Sequence, residues 1–149
     1  MILYHGTIAP EELVRSEGLR VFTPDSLRDY LLRIMGTPKK LVRTIGRAIK
    51  EGFELAEPGI LCFDTSFEEA KHYTSSPSEL FEAVTSQLPE DLWFELDRRI
   101  GTIGKVVEVD VPDEWLDHSE VEVLMGEGHH EVRIPWDIGP QYIKRIILV

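Results

Sequence analysis

Three side chains in this sequence have the types and positions to do chemistry. They are His5 in Tyr4-His5-Gly6-Thr7, Tyr73 in Ala70-Lys71-His72-Tyr73, and Glu131 at the head of Glu131-Val132-Arg133-Ile134-Pro135. Each has an ordinary explanation when taken singly. A strand-end histidine is usually structural, a helix tyrosine usually packs in a core, and an edge-strand glutamate is usually solvated. Other chemistries find less footing. Nothing reads G-x-G-x-x-G and no Walker-type phosphate loop occurs. There is no HExxH and no paired CxxC, so a zinc site is unsupported. His129, His130 and Glu131 with His5 imitate a metal-ligand set, but consecutive strand residues point to opposite faces, and no metal is expected.

The stretch that must position these groups is Gly59–Tyr73, GILCFDTSFEEAKHY. Ile60, Leu61, Cys62 and Phe63, behind the turn signals Glu57, Pro58 and Gly59, read as a buried strand. Asp64, Thr65 and Ser66 can each cap a helix whose first turn holds Glu68 and Glu69. Phe67, Ala70, Lys71 and Tyr73 follow on that helix. A strand running into a capped helix brings both to one edge of a sheet, a common place for a cleft.

Before this stretch, Ile2–His5 reads as a short strand stopping at Gly6-Thr7, and Pro10–Ser16 as a helix ended by Gly18. Leu19–Phe22 reads as a return strand. Thr23 or Asp25 caps a helix over Ser26–Met35, with Leu27, Tyr30, Leu31 and Ile34 on one side, and Gly36-Thr37-Pro38 breaks it. A third helix, Lys39–Gly52, has an apolar stripe of Leu41, Ile45 and Ile49 helped by Val42. Its cations Lys39, Lys40, Arg43, Arg47 and Lys50 gather on another side. Those cations form either a solvated face or a patch for an anionic, phosphate-bearing ligand, centred on Arg43, Arg47 and Lys50.

After it, Pro77–Gln87 and Pro89–Ile100 read as helices, the second burying Leu92, Trp93, Leu96 and Ile100. Gly101–Gly104 reads as a turn. Lys105–Val111 alternates, with Val107, Val109 and Val111 on one face and Glu108 and Asp110 on the other. Pro112–Leu116 is a proline-led helical turn, and Val121–Leu124, His130–Ile134 and Tyr142–Val149 are strands. The pattern predicts an α+β domain with a mostly antiparallel sheet.

The 149 residues suit a single domain, and 42% hydrophobic with 29% charged residues is an ordinary globular composition. Apolar runs are too short to cross a bilayer, and the first residues do not read as a secretory signal. Cys62 is the only cysteine, which fits a reducing, cytoplasmic setting. The charge of −11 is uneven. Residues 1–50 hold nine Lys/Arg against five Asp/Glu, a net of +4, whereas residues 51–149 hold seven against twenty-two, a net of −15. An anionic ligand would therefore meet the first third of the chain.

The order His5-Gly6-Thr7, Gly59 strand with Tyr73, then E-x-x-I-P at Glu131 resembles the ADP-ribosyltransferase superfamily, on its diphtheria-toxin and poly(ADP-ribose)-polymerase side. That side carries a His, Tyr, Glu triad on three core strands or their edges. The resemblance covers about residues 1–22, 56–74 and 104–149. It implies one transferase-like domain with a split, mostly antiparallel sheet, in which 23–55 and 78–100 are helical insertions. It departs from the polymerases at Leu61-Cys62, where they usually carry an aromatic, although Phe63 stands next to it.

The resemblance implies an enzyme that cleaves the nicotinamide–ribose bond of NAD and passes ADP-ribose to an acceptor, which is a protein, a nucleic acid or a small molecule. Glu131, His5 and Tyr73 would be catalytic. Glu131 would face the cationic ribose, Tyr73 would stack on nicotinamide, and His5 would bond a ribose hydroxyl. Gly6 would hold the carboxamide through its backbone, with Thr7 and Phe63 completing the NAD-binding set. No membrane partner is implied. Two alternatives stand beside it. An RNA 2′-phosphotransferase shares an HGT-type opening but is expected to carry arginine-rich motifs in place of Tyr73 and Glu131. A non-catalytic NAD- or ADP-ribose-binding module would not need Glu131.

Overall fold

A computed structural model describes residues 1–36, 39–56, 59–75, 79–100 and 103–149, with the backbone alone at 39, 40, 75 and 79. Parts of the expected breaks at Gly36-Thr37-Pro38 and Glu57-Pro58-Gly59, of the Gly101–Gly104 turn, and the start of the Pro77 helix lie outside the described residues. The chain divides into two compact units: residues 1–21, 60–76 and 103–149, and residues 22–59 and 77–102.

The first unit is built on one sheet. Its strands are β1 (Ile2–Thr7), β2 (Leu61–Asp64), β3 (Lys105–Asp110), β4 (Glu122–Met125), β5 (His130–Ile134) and β6 (Ile143–Leu148). The order is β4-β5-β2-β1-β3-β6, and every neighbouring pair is antiparallel. With the helices this makes an α+β architecture. The ladders are unequal. β1 runs beside β3 from Ile2↔Asp110 to Thr7↔Lys105, and β2 beside β5 from Leu61↔Ile134 to Asp64↔Glu131. Between β1 and β2 there is a single registered pair, Tyr4↔Asp64. The sheet is therefore two three-stranded halves joined at one seam.

Leu3, Phe63, Val107, Val109, Val132 and Ile134 line one face of both halves and form the core with Val14, Leu19 and Ile138. Period-two alternation explains their register, since one apolar set per strand must face the same layer. β3 is buried on its other face too. Glu108, on the face opposite the valines, is buried and accepts from both Nε and Nη2 of Arg145, at 3.1 and 3.0 Å, from the opposite position on β6.

Helix α1 (Glu11–Glu17) follows β1 and ends at Gly18, whose φ of +80° suits glycine. A Cβ there would also collide with the carbonyl of Ile138. The return strand expected at Leu19–Phe22 does not form. Leu19 makes one isolated bridge, exchanging bonds of 2.9 and 2.8 Å with Ile138. The amide two residues on, that of Val21, donates to the Asp137 carboxylate at 2.7 Å, so a side chain replaces the second ladder partner.

The second unit is helical. α2 (Pro24–Met35) starts at Thr23, whose side chain exchanges bonds with Ser26 in a capping box, and buries Leu27, Tyr30 and Leu31. α3 (Lys39–Leu55) buries Ile45, Ala48 and Ile49, while Val42 is exposed at the stripe's margin. Burial of Tyr30 pushes its phenol up to about 12. In the first unit α4 (Phe67–Lys71) follows β2, and α5 (Glu79–Thr85) and α6 (Glu90–Ile100) complete the second. α6 buries Leu96 and Ile100; Trp93, expected among them, is exposed against Phe94. Among the described residues no helix is long and apolar enough to cross a membrane.

Candidate active site

β1, β2 and β5, which carry or lead to His5, Tyr73 and Glu131, are consecutive strands of the sheet. Residues opposite each other across a ladder share a face. Tyr4, Asp64, Glu131 and Leu124 form one such row, and Cys62 with Arg133 forms the next on that same face.

His5 sits just past the only pair that joins the halves. Its Nδ1 lies 2.7 Å from the carbonyl oxygen of Cys62. A carbonyl only accepts, so Nδ1 carries the hydrogen and donates, leaving Nε2 with a lone pair in the neutral ring. The imidazole thus supplies across the seam a bond of the kind that strand pairing makes elsewhere. Burial holds its pKa below the ordinary imidazole value, against the opposing effect of the Cys62 carbonyl. The His5 ring also lies 5.3 Å from that of Phe63. Phe63 itself is only 2% exposed and belongs to the core. It backs His5 and has no open face to form a second wall for a ligand, which corrects its expected binding role.

Gly6 is where the helix after β2 touches β1. A Cβ at this position would collide with the Ala70 carbonyl oxygen and lie 3.1 Å from the Tyr73 Cβ. The missing side chain therefore brings Tyr73 close to the strand. Thr7 is already engaged, its Oγ1 accepting from the Ala9 amide at 3.0 Å in the turn toward α1. β1 continues through Gly6 and Thr7 where the sequence suggested that it stops.

Tyr73 lies in a 3-10 turn, His72–Ser75, that continues α4. The turn is fixed from below. Ser66 Oγ caps α4 at the Glu69 amide, and Asp64 Oδ1 accepts from the Ser66 amide at 2.7 Å. The Tyr73 side is 55% exposed, leaving the ring available for stacking. Its phenol is pushed up by partial desolvation and then by the charges of Glu131 and Asp64.

Glu131 is half-buried, and its Oε1 accepts from Arg133 Nε at 3.3 Å. Arg133 also stands 3.7 Å from Glu122 and is pushed up mainly by its bond to Glu131. Cys62 is a free cysteine in an exposed position, its thiol pushed up by partial desolvation and then by the Glu131 charge.

Two participants were not legible as site residues. Cys62 read only as part of a buried strand. Asp64 read only as a cap, yet it is 3% exposed and its Oδ2 lies 2.9 Å from His129 Nδ1. The cap signal was present; the histidine 65 residues away carried none. The His129 ring goes to Asp64, while the backbone amide of His130 donates to Thr65 Oγ1 at 2.9 Å.

No family model, no curated protein and no solved structure matches this chain.

Proposed function

We propose that this chain is an NAD-dependent ADP-ribosyltransferase of the His-Tyr-Glu type, acting on an acceptor still to be identified. The observation that carries the reading is the exposed Tyr73 ring held close to β1 at Gly6, at the seam that His5 bridges, with Glu131 on β5 opposite the Asp64 that anchors the Tyr73 turn. On this reading the seam corresponds to the split of the transferase sheet.

In the proposed reaction the bond from nicotinamide nitrogen to ribose carbon breaks, and its electron pair leaves with neutral nicotinamide. Positive charge appears on the ribose. A carboxylate about 4 Å away stabilises it by roughly 4 kcal/mol at an effective dielectric near 20, on the order of a thousandfold in rate. Glu131 supplies that charge through the neighbouring ribose hydroxyl. The acceptor's nucleophile then bonds to the ribose carbon and gives up its proton. Tyr73 stacks on the nicotinamide cation. His5, neutral with its hydrogen on Nδ1, accepts a ribose hydroxyl at Nε2.

The test is Glu131→Gln. Nicotinamide release from labelled NAD is expected to fall at least tenfold, with NAD affinity measured by calorimetry nearly unchanged. Equal release by both proteins would remove Glu131 from the chemistry. NAD binding without release by either would favour a non-catalytic module.

A further inference from the structure

The cations of α3 carry an inference that is independent of the transferase reading. Arg43, Arg47 and Lys50 are exposed and follow one another at spacings of four and three. On a helix this puts them in one line, opposite the buried Ile45, Ala48 and Ile49. The line spans about 10 Å at 1.5 Å per residue. Lys39 precedes it by four positions, and the first acid of α3, Glu51, comes only after Lys50, four residues past Arg47.

Other arginines of this protein find carboxylates: Arg15 with Glu11, Arg98 and Arg99 with Glu95, Arg133 with Glu131, and Arg145 with Glu108. Among the described residues Arg43, Arg47 and Lys50 have no such partner, although the chain holds 27 acids to 16 bases. The row also works against the helix that bears it. α3 opens on Lys39 and Lys40 with no acid in its first turn, the reverse of what the helix dipole favours. Like charges then follow at i,i+4 and i,i+3, where they repel. A polyanion laid along the row would relieve both.

We propose that this face of α3 docks on the phosphate backbone of duplex nucleic acid without reading its sequence. The line of three cations matches about three phosphates of one strand at 3.4 Å of axial rise each. A single strand is the poorer fit because base stacking needs exposed aromatics beside the cations. The helix's one aromatic, Phe53, lies past the row and is half-buried. Exposed Trp93 and Phe94 stand on α6 among Glu90, Asp91, Glu95 and Asp97, which repel phosphate. A membrane surface fits less well, because the apolar side of α3 is already buried and cannot insert.

The test uses the full chain and a fluorescent DNA duplex of arbitrary sequence, with binding followed by anisotropy from about 50 to about 200 mM salt. Three phosphate contacts give a log–log slope near −2.7, roughly a fortyfold loss over that range. In Arg43→Gln/Arg47→Gln the slope is expected to shrink by about 1.8. Arg43→Glu, flanked by Lys39 and Arg47 at i±4, is expected to abolish binding without lowering the thermal midpoint, which separates lost contact from lost fold. Absence of duplex binding at the lowest salt would overturn the proposal. So would an unchanged slope in the double variant, equal or tighter binding of the corresponding single strand, or equally salt-sensitive binding to phosphatidylserine vesicles.

Discussion

Removing the Asp64 carboxylate tests the local architecture most directly. The group is buried and makes two bonds, accepting from the Ser66 amide at 2.7 Å and from His129 Nδ1 at 2.9 Å. Hydrogen bonds to a charged group contribute roughly 1.5–3 kcal/mol each. The Ser66 bond falls in full on substitution by alanine. The His129 bond falls in part, because that ring is 28% exposed and can turn to water. Asp64→Ala should therefore lose about 2–4 kcal/mol. At about 2–4 °C per kcal/mol for a chain of this size, the thermal midpoint should drop by roughly 4–16 °C. Asp64→Asn supplies the control. Its carbonyl still accepts from Ser66, and its amide can donate to His129 once that ring moves its hydrogen to Nε2. It should lose only about 1 kcal/mol. Thermal unfolding followed by circular dichroism reads both. Equal losses in the two variants, or an alanine midpoint within a degree of wild type, would refute the account of Asp64 as the anchor beneath Tyr73.

Gly6→Ala places a methyl against the Ala70 carbonyl and the Tyr73 backbone. It should cost about 1–3 kcal/mol of stability and weaken NAD binding in calorimetry; a silent substitution would mean that the turn is not held against β1. His5 is held below the ordinary imidazole range in the folded protein, so between that lowered value and about pH 6.5 the unfolded chain binds the extra proton. Its contribution to stability is full above about pH 6.5 and is lost as pH falls, at no more than about 1.4 kcal/mol per unit. His5→Asn keeps a donor for Cys62 without titrating, so its urea midpoint should fall less steeply below pH 6.5. Parallel profiles would refute the desolvated-histidine reading.

What the sequence made legible was local. Alternation in Lys105–Val111, the capping pattern at Thr23 and the glycine stop at Gly18 each depend on neighbours a few residues away, and each forms an element. The antiparallel α+β character followed from those elements. The misreadings came where distant partners decide. Leu19–Phe22 has strand composition, but Asp137 takes the amide that a ladder would use. Trp93 is apolar enough for a core, yet it stays exposed with its ring edge-on to that of Phe94. Phe63 is an aromatic at a suggestive position, yet Leu3 and Val132 close over it in the core. At the site, His5, Tyr73 and Glu131 were visible as residues. The bond from His5 to a backbone carbonyl and the Asp64–His129 pair were not, because neither leaves a periodic trace.

The single Tyr4↔Asp64 pair has a mechanical consequence. Within each three-stranded half, separating neighbours means breaking a ladder, whereas separating the halves breaks one ladder pair and the His5 bond. On one face Leu3, Phe63 and Val132 adhere across the join; on the other stand Cys62, Asp64, Glu131 and Arg133. His5, opposite Val107, belongs to the first of these faces, so the join is glued along its back, as a book is by its spine, and open in front. Bending of the sheet concentrates there, and a flat guest entering from the front can wedge the leaves apart while every other ladder stays intact.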